Sequence, residues 1–89
     1  MTDKELIELA AKAAGIDIRW KEWVTDKEWN PLTDDGDALR LAVKLGLFES
    51  GQWWDKVMGY RFEYEGEDDP YAATRQAIVR AAAEIGRTL

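Results

Sequence analysis

At 89 residues the chain has room for one domain, 1–89, whose core buries roughly 60% of the surface that an unfolded chain of this size exposes. Its 46% hydrophobic and 34% charged residues are ordinary for a soluble globule, and no run reaches the length of a membrane span or the pattern of a signal peptide, so a cytoplasmic protein is expected. Cysteine and histidine are absent, which excludes disulfides, thiolate chemistry, Cys/His zinc sites and imidazole acid–base catalysis, and the net charge of -6 argues against the clustered Lys and Arg of a phosphate-binding surface.

In chain order, Thr2-Asp3-Lys4-Glu5 is a capping box that opens a helix with Leu6, Leu9, Ala10 and Ala13 on one face, closed by Gly15. From Ile16 to Val24, Ile16, Ile18 and Trp20 alternate with Asp17, Arg19 and Lys21, the period of a half-buried strand, with a slip at Glu22 to Trp23. The organising stretch is Trp29 to Leu47. Pro31 makes Trp29 to Leu32 an irregular, anchored lead-in, Thr33 or Asp34 is the N-cap, and Asp35 and Asp37 sit at the positive end of the helix dipole. Leu39, Leu41, Ala42, Val43 and Leu45 leave only Arg40 and Lys44 as a polar stripe, which predicts a central, largely buried helix ending at Gly46 with Leu47 as hydrophobic partner.

Beyond Gly46 the chain is expected to run extended through Leu47, Phe48 and Glu49, turn near Ser50-Gly51, and enter a strand over Trp53 to Met58, with Gly59 as a bulge or tight turn. Tyr60, Phe62 and Tyr64 alternate with Arg61, Glu63 and Glu65, the cleanest strand signal present. After an acidic turn, Asp69-Pro70 caps a last helix carrying Ile78, Val79, Ala82 and Ile85, with an Arg80–Glu84 pair outside and Gly86 as its stop. The order α-β-α-β-β-α predicts an α+β fold: a small three-stranded, mainly antiparallel sheet packed with three helices, an α/β/α sandwich being one way to arrange it.

WNPLTDDGDALRLAVKLGL at 29–47 and DPYAATRQAIVRAAAEIG at 69–86 resemble the paired signature of small proteins encoded by bacteriophages and prophages, the phage ABA sandwich domain. The N-terminal helix resembles it loosely, and residues 48 to 68 match nothing in it. The resemblance implies a sheet between helices and a phage setting. It implies no reaction and no catalytic residues, and the two matching segments would be scaffold.

Two acidic groups invite chemistry. Asp34, Asp35 and Asp37 could hold Mg2+ or Ca2+, but with Gly36 at the sixth position of a calcium loop, Pro31 and Ala42 fall where carboxylates are needed, and helix capping accounts for these acids. Glu63, Glu65, Glu67, Asp68 and Asp69 could supply paired carboxylates, yet no base or nucleophile accompanies them, so a solvated turn and a cap explain the run better. No cofactor is expected.

Five tryptophans ask for more. Trp20 and Trp29 read as core, whereas two adjacent tryptophans on a strand point to opposite faces, so Trp53 or Trp54, beside Trp23 or Tyr60 and rimmed by Glu63 and Glu65, is expected to form an exposed aromatic patch. The leading expectation is a non-catalytic phage accessory protein of the host cytoplasm that binds a host protein, as host-takeover or anti-defence inhibitors such as CRISPR inhibitors do. A homodimer contact is a second use of the patch, and neither direct nucleic-acid binding nor membrane association is expected. Alternatives are an acidic nucleic-acid mimic that occupies a basic groove of a host DNA-binding enzyme, and a small carboxylate-dependent metal enzyme.

Overall fold

Local capping chemistry divides the chain into helices. In the computed structural model, which describes residues 2–16, 29–49, 51–63 and 69–89, the helices are α1 (Asp3–Ala14), α2 (Asp35–Lys44), α3 (Gly51–Glu63) and α4 (Pro70–Arg87). Thr2 Oγ1 accepts the Glu5 N–H at 3.2 Å, and Asp34 Oδ2 accepts the Asp37 N–H at 2.8 Å. Asp69 Oδ1 accepts from Tyr71 and Ala72 at 2.9 and 3.2 Å, with Pro70 at the first helical position. Each cap satisfies donors that the first turn leaves orphaned, for about 1 kcal/mol. Gly46, at φ 67°, adopts the left-handed conformation that lets the Leu47 N–H reach back to the Ala42 carbonyl at 3.0 Å, and Gly15 ends α1 in the same way.

The hub is α4, which packs against each of the other three helices. Ala73, Ala77, Ile78, Val79, Ala81, Ala82, Ala83 and Gly86 are all buried, and because most are small, neighbouring helices come close on several sides at once. Ala10, Ala11 and Ala14 of α1 and Ala38, Leu41 and Ala42 of α2 join the same core. Buried Trp29 and Leu47 belong to it as well, and full burial of Leu41 or Leu47 contributes about 1.5–3 kcal/mol each.

Several expectations are corrected by this arrangement. The described residues hold four helices and no strand, so the α+β fold with a three-stranded sheet, and the ABA sandwich with it, do not apply. The two strands expected over Trp53–Met58 and from Tyr60 are the single helix α3, and Gly59 lies inside it rather than at a bulge. A helix pairs its backbone groups internally, whereas a hairpin needs a third strand or a covering layer, and α4 offers α3 a surface of side chains instead. Residues 45–49 form tight turns rather than extended chain, with the Glu49 N–H donating to the Gly46 carbonyl at 3.1 Å. The strand expected over Ile16–Val24 lies, beyond Ile16, outside the described residues, as do Trp23, Tyr64 and Glu65. Nor is α2 the central helix: Leu39 and Val43, one turn apart, are 56% and 63% exposed.

Candidate functional site

At 100° per residue, α3 separates its adjacent tryptophans onto neighbouring faces. Trp53, Val57 and Tyr60 follow i, i+4, i+7 spacing and meet the core, Val57 fully buried and the two aromatics half-buried. Trp54, Met58 and Phe62 follow i, i+4, i+8 on the adjoining face and stay exposed, Trp54 at 40% and Phe62 at 66%. Phe48, in the turn before α3, extends this stripe: its ring centroid lies 5.3 Å from that of Trp54, with the planes tilted by 43°. Between α3 and α4 runs a groove of about 260 Å3, walled by Phe48, Trp54, Met58 and Arg61 and based on Val57, Ala77 and Ile78.

A polar network occupies the other side of α3. The Lys56 ammonium donates to Glu84 Oε1 at 2.7 Å and lies 5.6 Å from the centroid of the Trp53 ring. The Tyr60 hydroxyl donates to the second Glu84 oxygen, and Arg80 pairs with Glu63 while its guanidinium lies 4.7 Å over the Tyr60 ring. The hydrogen bonds from Lys56 and then Tyr60 hold the Glu84 carboxyl below its ordinary pKa. Burial, followed by the hydrogen bond to Glu84, pushes the Tyr60 hydroxyl above its own. Arg80, Glu84, Tyr60, Gln76, Arg87, Asp3 and Leu6 line a cleft of about 410 Å3.

Expected site residues thus separate. Trp54 is exposed in the groove wall, Trp53 and Tyr60 belong to the helix interface, and Glu63 is engaged with Arg80. Phe48, Met58, Phe62 and Arg61 were not anticipated, although Trp54-Met58-Phe62 is legible as a stripe once the segment is read with helical period. The acids of the α2 N-terminus have structural partners. Asp37, 1% exposed, accepts the Asn30 N–H at 3.0 Å and Arg40 Nη2 at 2.7 Å, while Asp35 meets Arg75 Nη1 at 2.5 Å. No group of three or more carboxylates that could hold a metal ion occurs among the described residues, and none of their helices is long and apolar enough to cross a membrane. Comparison of the chain with protein-family models, with curated proteins and with solved structures finds no match.

Proposed function

We propose that this chain is a non-catalytic protein-binding module, and that in the phage setting implied by the sequence resemblance it is an accessory protein acting on a host protein. The observation that carries this reading is the Phe48–Trp54–Met58–Phe62 surface. Large aromatic side chains held on a rigid helix beside a preformed groove are the anchors that protein interfaces concentrate, because each buries a large area at little cost in conformational entropy. The chain's net charge of -6 adds on-rate for a partner of opposite charge.

Capture from bacterial host lysate tests the reading, with wild-type chain and a Trp54→Ser, Phe62→Ser variant immobilised side by side after circular dichroism has shown equal helicity. One protein retained by the wild type and lost with the variant is the expected result. Equal retention by both, or no specific retention by the wild type, overturns it.

A further inference from the structure

We infer that α3 is a detachable flap, which leaves α4 and melts as one unit while α1, α2 and α4 stay folded. Its docking is the thinnest of the four helices: Val57 alone of its 13 residues is buried, against three of 12 in α1, four of 10 in α2 and eight of 18 in α4. Trp53 and Tyr60 reach the core only from its edge, and Trp54, Met58 and Phe62 are 38–66% exposed. The remaining helices hold one another without it. α1 and α4 cross at Gly86, where an added Cβ would strike the Leu9 backbone, and α2 is tied to α4 by the Asp35–Arg75 pair. Segments with few buried apolar contacts open at a lower free energy than the whole fold, so α3 opens first.

Once undocked, α3 does not persist as a helix. A free helix of 13 residues is marginal in water, and Gly59 in its interior weakens it further. No packing calls for that glycine, since a Cβ there meets nothing within 4 Å. The polar ties to α4 are Lys56 and Tyr60, which donate to Glu84, and Glu63, which accepts from Arg80. Partly exposed ion pairs of this kind orient the helix and contribute little to holding it down. The docked helix is the populated state, and the groove belongs to that state alone, because its wall is α3 and its base includes Ala77 and Ile78 of α4. Whatever occupies the groove therefore holds the flap shut, and opening itself needs no partner.

Amide hydrogen exchange of the full chain, resolved by residue with NMR, tests the flap. Amides 55–63 of α3 are expected to exchange at least about tenfold faster than amides 79–83 of α4. Gly59→Ala, which favours the helix, is expected to slow the α3 amides by about two- to fivefold. Gly86→Ala and Asp37→Ala weaken the core without touching the docking of α3. Each is expected to speed amides 79–83 at least about fivefold and to leave amides 55–63 within about twofold of wild type. Two core variants guard against one of them failing to fold. Acceleration of both sets in step shows that α3 opens only with the whole molecule and overturns the inference. Equal protection of α3 and α4 in the wild type overturns it too, as does a Gly59→Ala variant whose α3 amides exchange at the wild-type rate.

Discussion

A Cβ placed on Gly86 would stand 2.0 Å from the Leu9 carbonyl oxygen and 2.8 Å from its carbon, so α1 and α4 cross with backbone against backbone. The sequence suggests a stop at this glycine, but it is a buried contact point inside α4. Buried Ala10 and Ala11 of α1 and Ala82 and Ala83 of α4 are likewise small, as close packing of two helices requires.

Gly86→Ala therefore destabilises the protein. The blocking atoms are backbone and cannot rotate away, so the helices must separate, at a cost of about 1–3 kcal/mol for an overpacked core. Gly59→Ala has the opposite sign: a Cβ there meets nothing within 4 Å in mid-helix, and removing glycine's excess freedom contributes about 0.5–1 kcal/mol. Thermal melts of the two variants should shift in opposite directions, by roughly 4–8 °C per kcal/mol in a domain of this size. A Gly86→Ala melt equal to wild type would mean that the close crossing is not present in solution.

Asp37 ties the lead-in segment to α2. Its carboxylate accepts the N–H of Asn30 on one oxygen and a bond from Arg40 on the other, in a side chain that is 1% exposed. Asp37→Ala leaves the Asn30 donor unsatisfied and is expected to cost about 1–3 kcal/mol, measured by urea unfolding. Arg40→Ala removes the mostly exposed partner of the same pair and should cost no more than about 1 kcal/mol. Equal losses in the two variants would refute the anchoring role given to the carboxylate.

The Lys56–Glu84–Tyr60 network gives stability two pH limits. Because the folded-state pKa of Glu84 is lowered, the unfolded chain binds more protons in acid, and this contribution is present above the ordinary glutamate value of about 4.3 and lost as pH falls through the folded value. Tyr60 is raised, so its contribution is present below the ordinary tyrosine value of about 10 and lost as pH climbs through the folded one. Glu84→Gln should flatten the acid limb of stability against pH, and Tyr60→Phe should flatten the alkaline limb. A Tyr60→Phe curve that still falls at high pH as the wild type does would assign that limb to other groups.

The starts of α1, α2 and α4 and the stops of α1 and α2 were legible because they follow from residues a few positions apart: Thr2, Asp34 and Asp69 cap as their neighbours dictate, and Gly15 and Gly46 close their helices, whereas the stop expected at Gly86 falls inside α4. Element type over 51–63 was not, because Tyr60 and Phe62 alternating with charges satisfy a strand template, while Trp53, Val57 and Tyr60 satisfy a helical one equally well. Aromatic strand preference is really a preference for a packed, half-buried surface, and α4 supplies that surface to a helix. The hub was missed for a related reason. Leucines suggested that α2 is central, whereas close packing on several sides favours the alanines of α4, whose small volume carries little weight in a hydrophobicity pattern. Of the exposed stripe on α3, Trp54 was a candidate through its adjacency to Trp53, with the choice between the two left open, and Met58 and Phe62 were hidden by the strand reading.

Substitutions along α3 separate structure from surface. Val57→Ala removes two buried methyl groups from the core side and should cost roughly 2 kcal/mol, lowering the melting temperature. Phe62→Ser, one helical turn and one residue further on, removes an exposed ring and should change stability by no more than about 0.5 kcal/mol. The binding readout should follow a different pattern, with Phe62→Ser weakening partner engagement at nearly unchanged stability and Val57→Ala, at the base of the groove, lowering both. Parallel denaturant melts and binding titrations check the two patterns. A Phe62→Ser variant that unfolds as readily as Val57→Ala would place the ring in the core and remove the stripe from the proposed surface.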